Sequence, residues 1–332
     1  MKIAIVGAGA IGGYLGVKLA LSGVDVTFIA RGANLAAIRQ NGMTLELPGG
    51  ETLTASNARA ASMAEAGPHD YVFLTMKAHQ VAPVAAEIEP LCHADTAIVT
   101  LQNGLPWWYF YQGGGELAGT QLQSLDPGGA LWQQLRPERV IGSVVYPAAE
   151  LVAPGVVRLI EGNRFTLGEP SGEKTGRITR LAQAMIAAGF KTPVSTDIRS
   201  ELWVKLWGNL VFNPVSALTH ATLEDICNDP LTRDLAARMM AEAQALGEKI
   251  GVQFKVSIDK RIEGARAVGA HKTSMLQDVE QGKQLELAAL VGSVVELGQL
   301  TSTPTPTIDT VYALTRLLAR EIDKTGGRLK LG

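Results

Sequence analysis

The sequence predicts an α/β chain, with strands and helices alternating around a parallel sheet over residues 1–197 and an all-α domain over 198–332. Three observations carry this. Short β-branched runs at residues 2–6, 24–30, 71–75 and 97–101 alternate with helical stretches, which is the rhythm of βαβ units. From Ile198 onward apolar residues recur at helical spacing, over 198–218, 231–250, 257–268, 275–280, 285–300 and 308–322. A chain of 332 residues, 46% apolar and 19% charged, has the length for two domains and the balance of a core-forming protein.

Taken in order, the run 2–6 is a strand, and the helix after it extends to Leu21. Beyond Arg139 the texture changes to three closely spaced apolar runs, 140–146, 155–160 and 164–167, read as strands added at the sheet edge. A polar stretch, 171–176, leads into a helix over 178–188, and 191–195 returns briefly to strand. In the second domain, Thr303-Pro304-Thr305-Pro306 is a stiff connector whose prolines stop one helix and start the next.

Composition narrows the function classes. A net charge of −2 gives no electrostatic footprint for nucleic acid or an anionic membrane. Cys92 and Cys227 lie far apart with no histidine at metal spacing, so neither a disulfide framework nor a metal site is expected, and a reducing cytoplasm fits. Glycines at 7, 9, 12 and 13 break the apolar N-terminus, which reads as strand and turn and not as a signal peptide. No window of about 18 apolar residues runs uninterrupted, so a soluble chain is expected.

The strongest local signal is Gly7-Ala8-Gly9-Ala10-Ile11-Gly12, directly after the first strand and opening a helix. Glycines there let the backbone turn tightly and approach a pyrophosphate, whose charge rests on the free N–H groups of the helix N-terminus. With a second strand about 20 residues on, the pattern is that of a Rossmann-type dinucleotide-binding domain. Where an NAD-binding chain usually carries a carboxylate for the ribose, this one has Ala30-Arg31-Gly32. Arg31 can pair with a 2′-phosphate, so NADP(H) is the expected cofactor; the bland alternative is a solvated loop arginine. Two further strand ends, Thr75-Met76-Lys77-Ala78-His79-Gln80 and Leu101-Gln102-Asn103-Gly104, belong to the same crevice, which makes Lys77 and Asn103 candidate contacts for the ribose and nicotinamide.

The second domain opens with Glu201-Leu-Trp-Val-Lys205-Leu-Trp-Gly-Asn209-Leu-Val-Phe-Asn213-Pro214. Lys205, Asn209 and Asn213 recur every four residues and form one polar stripe on a strongly apolar helix. Burying a lysine and two amides without partners would cost several kcal/mol, so the stripe should face a polar ligand or a water-lined cleft. A satisfied structural network between helices is the alternative. Pro214 should end or kink the helix after Asn213.

These motifs together resemble the ketopantoate reductase (2-dehydropantoate 2-reductase) family over nearly the whole chain: GAGAIG, Arg31, LTMKAHQ, LQNG, KLWGNLVFNP, and Thr273-Ser274-Met275-Leu276-Gln277-Asp278 followed by Glu286. The resemblance implies an NADPH-dependent oxidoreductase of pantothenate biosynthesis that reduces a 2-oxo acid. It implies Lys205 as proton donor, with Asn103, Asn209, Asn213 and Ser274 as substrate contacts. Glu286 would be the acid near the nicotinamide ribose and the lysine. Gly7, Ala8, Gly9, Ala10, Ile11, Gly12, Arg31, Lys77, Asn103 and Ala149 would be cofactor contacts. Read from the residues alone, Ser274 and Gln277 also make an S-x-x-Q capping box, and Glu286 could be a solvated helix-face carboxylate like Glu296.

The chain departs from the family in two places. The third substrate asparagine has no counterpart, since ungapped spacing lands on Leu223. The segment 106–137 is long and begins Trp107-Trp108-Tyr109-Phe110-Tyr111; it could be a lid, part of a substrate pocket, a subunit interface, or an insertion packed on its own domain. Two alternatives to ketopantoate reduction therefore stand: a reductase of another branched or aryl 2-oxo acid, and a non-catalytic NADP-sensing module. A homodimer is compatible with the apolar C-terminal helices.

Overall fold

The computed structural model describes residues 1–327, and these fall into two compact units. Unit 1 comprises Met1–Gln102, Pro106–Gly114 and Gly128–Ile198; unit 2 comprises Asn103–Leu105, Gly115–Pro127 and the chain from Arg199 on.

In unit 1 the strands and helices run β1 (Lys2–Val6), α1 (Ala10–Leu21), β2 (Asp25–Ile29), α2 (Gly32–Asn41), β3 (Met43–Glu46), β4 (Thr52–Ala55), β5 (Arg59–Ala61), α3 (Met63–Ala66), β6 (His69–Leu74), α4 (Ala85–Ile88) and β7 (Cys92–Thr100). They continue as α5 (Ala130–Leu135), β8 (Val140–Val145), β9 (Ala148–Ala153), β10 (Val156–Glu161), β11 (Phe165–Gly168) and α6 (Gly176–Ala187). Seven strands form one sheet in the order β11-β8-β7-β6-β1-β2-β5. All pairs are parallel except β11 with β8. Chain order reverses on either side of β1, which puts the β1 and β6 carboxyl ends at the switch point where α/β sheets bind ligands.

The edge expectation for the three later strands holds for β8 and β11 and fails for residues 155–160. β10 instead belongs to a second, four-stranded sheet, β4-β3-β10-β9, in which it pairs parallel with β3 more than a hundred residues upstream. Helix α1 explains the arrangement. Its residues from Gly12 to Val17 are all buried, with Gly13 against Met43 and Val157 of the second sheet and Gly16 against the Phe28 ring of the first. A helix covered on both sides needs no polar face. The expected strand at 191–195 is reduced to two isolated bridges, Arg164 with Lys191 and Leu167 with Val194. Pro193 lies between them and has no N–H for a ladder.

Trp107, Trp108, Tyr109 and Phe110 are buried within unit 1, whereas residues 115–127 of the same segment belong to unit 2, so the segment does not pack on one domain alone. The Trp108 ring fills the space over Gly142 of β8, where an added Cβ would lie 2.5 Å from it, and its Nε1–H donates to Thr100 Oγ1 at 2.9 Å. Trp107 and Tyr111 both meet Trp132 edge-on, at 6.2 and 5.7 Å between centroids.

Unit 2 holds α7 (Ile198–Thr219, whose first residue closes unit 1), α8 (Leu223–Asn228), α9 (Pro230–Lys249), α10 (Ile258–Arg266), α11 (Ser274–Glu280), a π-turn (Ala288–Gly292), α12 (Ser293–Leu300) and α13 (Pro306–Lys324). Helix α7 does not end at Pro214; it runs through it for another five residues. Burial of Val211, Phe212, Val215 and Ala217 gives that last stretch enough packing to offset the missing donor, and a proline φ is itself helical. Helix α8, set by a Thr222–Asp225 capping box, has no counterpart in the sequence reading. Glu296 is not a solvated carboxylate: it accepts the backbone N–H groups of Gln123 and Ser124 at 2.7 and 2.8 Å, which ties the loop 115–127 to α12. Among the described residues no helix is long and apolar enough to cross a membrane.

Candidate active site

The Gly-rich turn leaves β1 at Gly7, whose φ of +100° is the left-handed region that glycine enters without strain. The N–H groups of Gly7 and Ala8 donate to Ile29 O at 3.2 and 3.3 Å, which fastens the turn to the end of β2. Gly12 is the tightest point, since an added Cβ would stand 2.4 Å from Gly7 O and 2.5 Å from Thr75 Oγ1. A Cβ on Gly9 would instead meet nothing nearer than Gly7 O at 4.0 Å. The space over the start of α1 is therefore open on the side where a pyrophosphate would lie. Helix α1 has no side-chain N-cap and no acidic residue in its first turn, so its first N–H groups, near Ala10 and Ile11, keep their capacity for an anion. The residues present fit a dinucleotide.

Arg31 caps α2 by position, makes no side-chain cap bond, and stands exposed with no ion pair among the described residues. Its guanidinium is available to a 2′-phosphate. Lys77 follows β6, with its backbone N–H donating to Gln80 Oε1 at 3.1 Å and its Nζ buried. Ala149 lies in β9 of the second sheet, opposite Leu159, and not at a carboxyl end of the parallel sheet.

Three supports of this region had no place in the sequence reading. Asn34 Nδ2 donates to Ala8 O at 2.7 Å, and its Oδ1 accepts the Gly155 N–H at 2.7 Å, so one side chain joins the Gly-rich turn to the β9–β10 turn. Thr75 Oγ1 donates to Gly7 O at 2.7 Å, and Gln102 Nε2 to Leu74 O at 2.7 Å. Thr75 and Gln102 sit inside the two strand-end motifs, where their position was the available signal. Asn34 is an ordinary helix residue by sequence.

In unit 2, α7 presents the stripe. Lys205 is half-buried and its Nζ donates to Asn103 Oδ1 at 2.6 Å. Desolvation pushes the Lys205 ammonium down from 10.5 to about 8, while the Glu286 carboxylate pulls the other way. The physical cause is simple: a charged amine loses water it cannot fully replace. Asn213, 5% exposed, reaches Ser274 Oγ at a long 3.5 Å. Asn209 is half-buried, and its carboxamide makes no hydrogen bond among the described residues.

Two expectations about neighbouring residues change. The cap of α11 is Thr273, whose Oγ1 accepts the Leu276 N–H at 3.2 Å, and not Ser274, which is the first helical residue. That shift of one position frees the Ser274 hydroxyl to meet Asn213. Glu286, 9% exposed, does not sit within a helix: it precedes the π-turn, and its carbonyl accepts the Leu290 N–H at 3.2 Å. Leu223, at the place of the absent asparagine, starts α8 and gives its N–H to His271 O at 3.0 Å; its side chain offers no polar contact.

An ammonium of lowered proton affinity, held by a carboxamide and biased by a buried carboxylate, is equipped to give up a proton near neutral pH. The family model described as ketopantoate reductase PanE/ApbA matches residues 3–172, and its C-terminal counterpart matches 197–319. The 2-dehydropantoate 2-reductase of Mesorhizobium japonicum is 57% identical over 97% of this chain and 98% of its own length. Among solved structures, a candidate ketopantoate reductase from Ralstonia solanacearum superposes with a TM-score of 0.92 at 42% identity, covering 96% of this chain and 98% of that one. The 2-dehydropantoate 2-reductase of Geobacter metallireducens does so with a TM-score of 0.82 at 31% identity, covering 96% and 99%. The chain belongs to the ketopantoate reductase family.

Proposed function

We propose that this chain reduces 2-dehydropantoate (ketopantoate) to pantoate with NADPH, as an enzyme of pantothenate biosynthesis in the cytoplasm. Residues 1–197 act as the NADP-binding domain and 198–332 as the catalytic domain. The observation that carries the reading is the half-buried Lys205 amine, desolvated on an apolar helix and hydrogen-bonded to Asn103.

Gly7, Ala8, Gly9, Ala10, Ile11 and Gly12 hold the pyrophosphate, Arg31 the 2′-phosphate, and Lys77, Asn103 and Ala149 further parts of the cofactor. When bound, NADPH supplies the hydride that reduces C2 of the oxo acid. Lys205 stabilises the negative charge growing on the carbonyl oxygen and passes one proton from Nζ to it, so the product is a neutral hydroxyl and the lysine is left as a free amine. Asn209, Asn213 and Ser274 orient the substrate through hydrogen bonds to its carboxylate or hydroxyl. Glu286 keeps Lys205 protonated and contacts the nicotinamide ribose.

A screen of NADPH oxidation against a panel of 2-oxo acids tests this directly, with ketopantoate expected to give the highest kcat/KM. In Lys205→Ala, kcat should fall by roughly 10²- to 10⁴-fold with NADPH binding retained. A variant that keeps kcat within about tenfold of the parent would remove the proton-donor role.

A further inference from the structure

The three residues that follow Gln102 are held by a close backbone contact with the π-turn. Gly104 has a φ of +86°, and an added Cβ there would stand 2.3 Å from Ala289 O and 2.5 Å from its carbonyl carbon. The next residue, Leu105, donates its N–H to the same Ala289 O at 3.0 Å. Ala289 lies in the π-turn, where the Ser293 N–H reaches back five residues to Ala288 O. The wider winding takes that donor away from Ala289 O, which accepts instead from Leu105 and from Ser293 Oγ at 3.0 Å. Single π-turns within helices are frequent at functional sites, and this one releases the Ala289 carbonyl for another donor.

The contact sits between the two groups that condition Lys205. Asn103, whose Oδ1 accepts from Lys205 Nζ at 2.6 Å, is the residue just before Gly104. Glu286, whose charge acts on Lys205, lies two residues before the π-turn and bonds to it through Leu290. All of these residues belong to unit 2. With one residue between the anchor at Leu105 and Asn103 on one side, and a single turn on the other, neither partner of the lysine can drift without moving the anchor.

We propose that the contact of Gly104 and Leu105 with the Ala289 carbonyl is a positioning latch for the Lys205 proton donor, acting through Asn103. Its kinetic consequence rests on the reductase reading; its geometry does not. Gly104, Leu105 and Ala289 are positioning residues and touch no substrate.

The test is a double-mutant cycle of Gly104→Ala and Asn103→Ala, with three readouts: kcat and the KM for NADPH, the pH profile of kcat/KM, and NMR titration of isotopically methylated Lys205 without substrate. Gly104→Ala should lower kcat about tenfold or more and leave the KM for NADPH within about twofold. Loss of the acceptor disfavours the ammonium, so Lys205 should titrate about one unit lower, and the basic limb of the profile should move with it. Asn103→Ala should lower kcat and the Lys205 titration in the same way, and because Asn103 also contacts the cofactor its KM for NADPH should rise as well; the double variant should be no worse than Asn103→Ala alone. Additive effects, or an unmoved Lys205 titration in folded Gly104→Ala, overturn the latch. Should Gly104→Ala fail to fold, amide exchange of the unaltered protein decides: Leu105 must exchange as slowly as the α12 amides, and fast, loop-like exchange refutes the latch. A parent protein that turns over no 2-oxo acid sinks the reductase reading, while the NMR titration and the Leu105 exchange still test the latch by themselves.

Discussion

If Lys205 donates the proton, the pH profile should record its depressed affinity. The perturbation is pH itself. With Lys205 titrating at about 8, about nine-tenths of the enzyme that meets the oxo acid carries the proton at pH 7 and about one-tenth at pH 9. Reduction of the oxo acid should then fall about tenfold across that interval. An ordinary lysine at 10.5 would stay almost fully protonated and give a flat line. Oxidation of the hydroxy acid needs the neutral amine and should rise over the same range. The assay is kcat/KM for the oxo acid from pH 6 to 10 at saturating NADPH. Glu286→Gln supplies the second arm: it removes the charge that favours the ammonium, so the limb should move to lower pH, by about one unit. The same shift has a stability consequence of opposite sense to that of a paired lysine. Between about 8 and 10.5 the unfolded chain still binds a proton that the folded site has released, so stability rises with pH across that window. A rate independent of pH up to 9.5, or a limb that Glu286→Gln moves upward, would refute the assignment of Lys205 as the acid.

Other consequences follow from single residues. Arg31→Ala should raise the KM for NADPH by roughly 10- to 100-fold through loss of a charge-assisted contact while leaving NADH use nearly unchanged, as read from the ratio of kcat/KM for the two cofactors. Gly12→Ala forces a methyl to within 2.4 Å of Gly7 O; a cost of about 1–3 kcal/mol is expected, visible as a lower Tm and weaker NADPH binding. His69, 4% exposed, contacts Gly67 O at 2.8 Å and Thr27 Oγ1 at 3.0 Å. Desolvation holds its affinity below 6.5, so stability is lost as pH falls through and below that value. The drop in Tm between pH 7.5 and 5 should therefore be smaller in His69→Gln, whose amide does not titrate.

The sequence by itself determined the parts whose physics is local. The Gly-rich turn, the strand ends at Lys77 and Asn103, and the four-residue spacing of Lys205, Asn209 and Asn213 are read from neighbours along the chain, because turn sterics and helical periodicity act over a few residues. Caps and breakers were nearly as legible, with an error of one position at Thr273; at Pro214 the helix continues where burial outweighs propensity. What only the tertiary structure decided involves partners far apart in sequence. The pairing of β10 with β3, the bridge through Asn34, the hold of Glu296 on the loop 115–127, and the approach of Asn103 to Lys205 across 102 positions each close a long loop that no local pattern announces. The π-turn belongs with these: its winding makes sense only beside the carbonyl contact from Leu105, which fixes where the proton donor's partner stands.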